Sequence, residues 1–399
     1  SETIRVAGGA SQAVKFRDTV WGPVMRSGKA LHAIRWTAQD SRAANVELIQ
    51  FESARTVDEA LKLVANIGVP PQNLVLGDSQ GNIAWTVAGP IPKRLPDIDN
   101  TRVIDWRVMP TTQVELVPPA DVPVIKNPKN GALFTANARI VGGRGLAVLG
   151  TANYALGPRG AQIRETLAKR AVHDEASLLK VGLDDRAVFM NGWRQLLERA
   201  LAGPAADVDR ADELKAVMST WSGRALPDDA AFRWAREYRD TIRHFVLTPL
   251  AIPLAVNTGA VAFPGLRQLE GVVWTLLDER PMHLLHPKYK DWDALERAAV
   301  IRTLERVTKK FPGPLAERTW YERNAKPIAH PLTRAIPALS KLLNMPDRKI
   351  PGGAWVPRVM LGAQTASERI VVTPGRESKG LFHMPGGQSG HPLSNYYRT

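Results

Sequence analysis

The residue of this chain best suited to do chemistry is Asn137, an amide at the end of a short apolar segment. The pair Asn130-Gly131 is typical of a tight turn, and residues 132–136 that follow favour a strand. An amide at the end of a buried strand is a fixed hydrogen-bond donor, which is the kind of group that stabilises the oxyanion of a tetrahedral intermediate. Asn also tolerates turn geometry, so the local pattern alone favours the simpler interpretation that Asn137 begins a turn.

Composition narrows the class of protein. The chain has 399 residues, is 44% hydrophobic and contains 11 tryptophans, so it can bury a sizeable core. It has no cysteine, which excludes disulfides, thiolate metal sites and a cysteine nucleophile. No apolar run is long enough to span a bilayer, and the first residues lack the pattern of a signal peptide. Because residue 1 is not Met, we expect a processed or truncated chain.

The formal net charge is +14, which allows nucleic acid, anionic surfaces or anionic small molecules as partners. The lysines and arginines are scattered, and the densest cluster is the pair Lys309-Lys310. No nucleic-acid motif is visible, and aromatic residues do not alternate with basic ones. The sequence therefore predicts a solvated basic surface and no nucleic acid as a partner, whereas a nucleic-acid binder would show salt-dependent DNA retention.

Other polar clusters give weaker signals. The histidines lack metal-ligand spacing, so no metal site is expected. Residues 142–145 are glycine-rich but lack the phosphate-binding patterns, and with Arg144 they suggest a mobile rim beside the Asn137 site. Asp184 and Asp185 are adjacent, and adjacent residues on a helix do not face each other, so a structural role is favoured over acid–base work.

Hydrophobic periodicity predicts an α+β protein with three regions. Residues 1–159 alternate like strands, with a helix capped by Thr56 and a hairpin whose tip is Gly81-Asn82. Residues 160–345 show helical spacing, and residues 346–399 return to strand-like runs ending in an irregular loop. We therefore expect the two ends to share a core sheet, with a large helical insertion between them.

Several ordered stretches together resemble the penicillin acylase (penicillin amidase) family of N-terminal-nucleophile hydrolases. Each stretch is weak alone, but their order over nearly the whole chain is specific. They are Trp21-Gly22-Pro23-Val24; Gly77-Asp78 with Gly81-Asn82-Ile83, Gly89, Pro92 and Arg94; Asn127-Pro128 with Gly131 and Thr135-Ala136-Asn137; Arg159 with Ile163 and Leu167; Trp221-Ser222-Gly223; Thr319-Trp320 with Asn324 and His330-Pro331-Leu332; and Pro385-Gly386-Gly387-Gln388-Ser389-Gly390.

The resemblance implies part of an αββα sandwich and a mechanism. In the family, a precursor cuts itself into α and β chains, and the serine that opens the β chain attacks an amide carbonyl. Its own α-amino group, with a pKa of about 8, acts as the base. The motif match implies that Asn137 donates to the oxyanion and that Arg159 steadies this amide. The alternative for Arg159 is an ordinary arginine at a helix start.

The chain also differs from the family pattern in several places. Ser1 lies closer to Trp21 than the family nucleophile does to its matching strand, so we expect the serine in a preceding β segment. A companion α chain is expected too, as is a periplasmic or secreted location. Some members bind calcium through a carboxylate between the Asn and the Arg. This chain has no Asp or Glu between residues 138 and 159, so we expect no calcium ligand there and no cofactor.

The sequence thus predicts an acylase that cleaves a small-molecule acyl amide. The substrate classes that the resemblance implies are β-lactams, which are antibiotics, and N-acyl-homoserine lactones, whose cleavage quenches quorum sensing. The alternative is a non-catalytic domain derived from the family that acts as a binding or assembly subunit.

Overall fold

The computed structural model describes residues 1–95, 98, 103–108, 115–150, 154–258, 267–325, 328–362, 364–384 and 386–398; for residues 251–258 and 364 it describes the backbone only. The described strands are β1 Glu2–Ile4, β2 Gln12–Val14, β3 Asp18–Thr19, β4 Gly22–Ser27, β5 Ala30–Ala33, β6 Gln72–Gly77, β7 Ile83–Ala88, β8 Ile125–Lys126, β9 Met360–Leu361, β10 Gln364–Thr365, β11 Arg369–Val371 and β12 Leu381–His383. The described helices are α1 Val57–Leu63, α2 Gly143–Leu149, α3 Pro158–Leu167, α4 Glu175–Gly182, α5 Met190–Ala202, α6 Ala211–Met218, α7 Ala230–Thr258, α8 Glu270–Glu279, α9 Trp292–Lys310, α10 Trp320–Asn324, α11 Leu332–Ala335 and α12 Ser340–Leu343.

The chain folds as two compact units. The N-terminal unit comprises Ser1–Thr135 and Arg139–Tyr154, and the C-terminal unit comprises Ala136–Ala138 and Ala155–Thr399. The α+β class predicted from the sequence is confirmed. The three predicted regions stay a prediction.

In the N-terminal unit, the predicted hairpin and capped helix both form. Strands β6 and β7 pair antiparallel, and β8 adds to β7. The side chain of Thr56 accepts from the Glu59 N–H, which satisfies a free donor at the start of α1. A small apolar cluster lies on the β7 face around Trp85, whose indole N–H donates to Asn73 Oδ1 at 2.9 Å.

Residues from two of the sequence markers meet at the tip of this hairpin. The Asp78 carboxylate accepts from the N–H groups of Val57 and Asn82 at 3.0 and 2.9 Å. The Asn127 side chain accepts from the Ile83 N–H and donates to Asn82 Oδ1, both at 2.9 Å. These side chains tie the hairpin to α1 and to the segment after β8 without a large apolar core.

The first five strands of the N-terminal unit bury little. Strands β1 and β2 form a two-stranded sheet, and β3, β4 and β5 form a three-stranded one. Large apolar side chains stay exposed in and beside these strands, among them Phe16 at 58%, Met25 at 62% and Trp36 at 62%. A sheet of this size with exposed apolar faces gains little stability from burial.

The C-terminal unit has one extensive apolar core among its helices. Its buried residues run from Ala187 to Val356 and include Trp193, Trp234 and Trp320, all at most 1% exposed. The indole N–H of each of these three tryptophans has an acceptor, as the burial of a polar group requires. The acceptors are Glu270 Oε1 for Trp193, Leu315 O for Trp234 and Gly352 O for Trp320.

Charged pairs are also buried in this core. Arg239 Nη2 and Nε lie 2.5 and 2.9 Å from the Glu270 carboxylate, and both side chains are almost fully buried. The Arg239 guanidinium also lies 4.0 Å from the centre of the Trp355 ring. Such a pair holds the helices in register, since removal of one partner would leave a buried charge without compensation.

The C-terminal strands pair only with one another among the described residues. Strand β9 pairs with β10, and β11 pairs with β12. The sheet predicted to be shared by the two ends stays a prediction; among the described strands, no ladder joins the two ends. Residues 386–392 form no helix or strand, as predicted, while Pro385 of that marker lies outside the described residues.

Candidate functional site

The segment before Asn137 is not a strand, which corrects the sequence prediction. Residues 132–135 have no regular structure, and residues 136–138 form a bend. The apolar pattern of the segment has another cause: Leu133 packs against the small cluster around Trp85 in the N-terminal unit. An apolar segment that packs into a core can have the sequence pattern of a strand even when no neighbouring strand is there to form backbone hydrogen bonds with it.

The backbone of the bend is held in a specific conformation. Asn137 has a φ of 61°, in the left-handed region that Asn tolerates better than most residues. Its carbonyl oxygen accepts from the Ala155 N–H at 2.8 Å. Ala136 before it is buried. These contacts, all within the C-terminal unit, hold the backbone from which the Asn137 side chain extends.

Arg159 orients the Asn137 amide. Helix α3 begins with Pro158 at its first position, a residue pre-organised for a helix start. From the next position, Arg159 Nη2 donates to Ala136 O at 2.8 Å and to Asn137 Oδ1 at 2.9 Å. The structure thus brings together the two site residues that the sequence singled out.

This contact determines which amide atom is available. A guanidinium only donates hydrogen bonds, so the atom facing Arg159 must be the amide oxygen of Asn137. The Nδ2 group then points its two N–H bonds elsewhere. No acceptor in the part of the chain that the structure describes bonds to Nδ2. The arrangement can therefore donate to an external oxygen atom.

The Asn137 side chain is exposed in this chain. The sequence placed this amide in a small cavity at the end of a buried strand, and the bend does not provide that enclosure. Water competes with any ligand at an exposed donor, so the amide is a strong oxyanion donor only where another group covers it.

The positive charge of Arg159 is partly buried and is influenced by a second arginine. Burial lowers the pKa of its guanidinium, and the nearby charge of Arg267 lowers it further. Neither arginine forms an ion pair with a carboxylate among the described residues. The loop around Asn137 therefore carries uncompensated positive charge, which sequence reasoning did not predict because Arg267 lies more than a hundred positions along the chain from Arg159.

A second arrangement of catalytic residue types lies nearby in sequence but serves as a helix cap. The Ser177 hydroxyl lies 3.3 Å from His173 Nδ1, and Asp174 is adjacent. Asp174 Oδ1 accepts from the Ser177 N–H while the Ser177 hydroxyl contacts the Asp174 N–H, which is the reciprocal pattern of a capping box. Ser177 is 8% exposed, so its hydroxyl is occupied and shielded from a substrate.

The remaining candidates have structural partners. The glycine-rich stretch predicted as a mobile rim instead forms helix α2, and Arg144 within it pairs with Asp121 at 2.6 Å. The glycines of the stretch cap this helix and form its first turn, so they do not make a loop here.

The two adjacent aspartates also have partners. Asp184 pairs with Arg186 at 2.5 Å and Asp185 with Arg224 at 2.6 Å, so the two carboxylates face different partners. Ser1 is exposed and precedes β1.

The described residues show neither a cluster of metal ligands nor a membrane-spanning helix. Within them, no group of three or more His, Asp or Glu side chains is placed to hold a metal ion. No described helix combines the length and the apolar character needed to cross a bilayer.

The comparisons with known proteins agree with the fold and with the family that the sequence resembles. The family model described as penicillin amidase matches residues 1–399. Among solved structures, the thermostable penicillin G acylase from Alcaligenes faecalis is similar, with a TM-score of 0.59 and 16% sequence identity over 100% of this chain and 74% of that chain. At this identity the structural match shows likeness of fold alone. No curated protein sequence matches the chain significantly.

Proposed function

Because this chain belongs to the penicillin amidase family, whose members hydrolyse amide bonds, we propose that it works as an acylase with Asn137 as the oxyanion donor. The observation that carries the proposal is the 2.9 Å contact between Arg159 Nη2 and Asn137 Oδ1. It pins the amide oxygen and presents Nδ2 as a donor. A donor held before the reaction begins needs no reorganisation when the oxyanion forms, which is the source of its catalytic value.

The rest of the mechanism follows the family pattern as part of the proposal. A serine at the start of the β chain attacks the amide carbonyl, its α-amino group takes the proton, and a backbone N–H completes the oxyanion hole. We propose that a preceding segment supplies this serine and covers the exposed Asn137 amide. A companion α chain produced by autocatalytic cleavage would give a heterodimer, and the location is periplasmic or secreted.

Two substrate classes fit this site chemistry. Both β-lactams and N-acyl-homoserine lactones present a secondary amide whose carbonyl carbon can be attacked and whose oxygen can accept from Asn137. The proposed role for Asn137 is the same for either class, because the scissile group is the same.

The test removes the Asn137 amide while keeping the backbone relaxed. Gly accepts the positive φ of this position without strain, so Asn137→Gly deletes the donor without the backbone cost that Ala would bring. We expect kcat to fall by about a hundred- to a thousand-fold, the usual effect of losing one oxyanion donor. Urea unfolding should change little. The matched control is Asn130→Gly, which alters an exposed turn amide and should keep kcat.

Two outcomes would decide against the proposal. Unchanged kcat in Asn137→Gly would remove the oxyanion role. No amide hydrolysis by the enzyme assembled with its serine-bearing segment would favour the alternative of a non-catalytic binding or assembly subunit.

A further inference from the structure

The dipeptide Asn-Gly occurs twice in this chain, once in a turn and once in a helix. Asn130-Gly131 lies in a turn after β8, and Asn191-Gly192 lies in the first turn of α5. The dipeptide is reactive because the backbone nitrogen after an asparagine can attack the carbonyl carbon of that asparagine's side chain. Glycine hinders this attack least, since it has no side chain and adopts backbone conformations that other residues avoid.

Little restrains the reacting groups at the turn. Asn130 is exposed, and its amide oxygen accepts from the Ala132 N–H at 3.5 Å, which is long for a hydrogen bond. The attacking nitrogen belongs to Gly131, whose N–H donates to Pro128 O at 2.8 Å. Exposed turns open at low cost in free energy, so this bond breaks often. A carbon atom added on Gly131 would meet no atom within 4 Å, so a ring formed there has room.

The copy in α5 is restrained by the helix and by the core. Asn191 is exposed like Asn130, so access to the side chain does not distinguish the two. A carbon atom added on Gly192 would lie 3.2 Å from the Trp274 ring, and the next residue, Trp193, has no exposed surface. Helical dihedral angles fix the position of the backbone nitrogen relative to the side chain before it. Attack therefore requires a packed helix turn to unwind, which costs more than opening an exposed turn.

We propose that Asn130, and not Asn191, is a site of spontaneous covalent modification that converts it to aspartate and isoaspartate. The Gly131 nitrogen forms a bond to Asn130 Cγ and loses its proton, while the bond from Cγ to Nδ2 breaks and the side-chain nitrogen leaves as ammonia. The product is a cyclic imide, a succinimide. Water then adds to either carbonyl carbon of the ring and opens it, which leaves a carboxylate. The reaction consumes only water and needs no enzyme.

The modification changes both the charge and the backbone of the turn. A neutral amide becomes a carboxylate beside the side chain of Lys129, which is exposed. When the ring opens at the backbone carbonyl, the main chain also gains a methylene group from the side chain. The turn leads to Leu133, which packs against the cluster around Trp85. The change therefore occurs where the chain enters a segment that this cluster holds.

Peptide mapping by mass spectrometry tests the proposal on the purified full chain, kept folded in mildly alkaline buffer. The peptide that contains Asn130 should gain the mass difference between a hydroxyl and an amino group, and it should contain isoaspartate, which the succinimide route produces. It should convert at least about ten-fold faster than the peptide that contains Asn191, because the helix turn opens less often. Asn130→Gln keeps an amide in the turn but would need a larger ring, so its conversion should fall to background.

The chain unfolded in urea is the matched control for the effect of the fold. There the two peptides should convert at similar rates, since both contain the same dipeptide and neither is held by a helix. If Asn130 stays unchanged in the folded protein while it converts in urea, the turn protects it and the proposal is overturned. Equal conversion of the two peptides in the folded protein would also overturn it, because the turn would then not select the site.

Discussion

The first five strands and the helical core of this protein differ in how much apolar surface they bury. Strands β1–β5 and the residues beside them leave large apolar side chains exposed, such as Met25 and Trp36 at 62% each, whereas Trp193 and Trp234 of the core have no exposed surface. The C-terminal unit therefore has its own source of stability. The N-terminal strands do not, and their exposed apolar residues are the kind of surface that another polypeptide covers.

The hairpin of the N-terminal unit lies between these extremes. Polar side chains organise it: Asp78 and Asn127 bond backbone N–H groups that the strands leave free. Hydrogen bonds of this kind specify a local shape and add modest stability, while apolar burial supplies most of the stability of a core. The residues that mark the family in the sequence include several of these polar anchors, which explains why they sit at turns.

The largest expected effect contrasts a buried and an exposed tryptophan. Trp193→Ala should lower the free energy of unfolding of the C-terminal unit by about 3–5 kcal/mol, because it opens a cavity and removes a partner of Glu270. Trp36→Ala should change the stability of this chain by less than about 0.5 kcal/mol. Urea unfolding followed by circular dichroism measures both. Equal losses in the two variants would break the comparison.

A smaller effect concerns the pH dependence of the hairpin. The pKa of Asp78 is lowered, first by the hydrogen bond from the Val57 N–H and then by those from Asn82 and Gln80. The folded carboxylate thus holds its proton less tightly than the unfolded one. Its contribution is fully present above the ordinary pKa of about 3.9 and is lost as pH falls through the lower folded value.

Hydrogen exchange measures this loss. The protection factors of the Val57 and Asn82 amides should fall as the solution is acidified below about pH 4, while those of Ala235 in the helical core should stay constant. In Asp78→Asn the Val57 and Asn82 amides should be less protected at neutral pH and lose the acid dependence. If acid affected the hairpin and the core alike, Asp78 would not be the anchor that we infer.

The sequence predicted those features that depend on neighbouring residues. The Thr56 cap, the hairpin across Gly81-Asn82 and the helices after residue 160 follow from turn chemistry and periodicity, and the structure confirms them. The pairing of Asn137 with Arg159 came from the family resemblance, and the structure places the two side chains in contact.

The features that the sequence did not predict depend on distant contacts. Residues 132–135 look like a strand, yet they form no ladder, and Leu133 packs against the cluster around Trp85 instead. The charge of Arg267 lowers the pKa of Arg159, and Gln268 beside it bonds to Ala155; no periodicity encodes such long-range contacts. The formation of helix α2 by the glycine-rich stretch is the exception, since it depends on a local balance that composition does not resolve.

The central claim is that Arg159 acts through Asn137, and a double-mutant cycle tests it most directly. An uncharged N-acyl-homoserine lactone is the substrate, and kcat is measured for Asn137→Gly, Arg159→Gln and the double variant. If Arg159 serves to orient the amide, its removal should cost little once Asn137 is gone, and the double variant should match Asn137→Gly within about two-fold. Losses that multiply would contradict the account, since they would show that the two residues act independently.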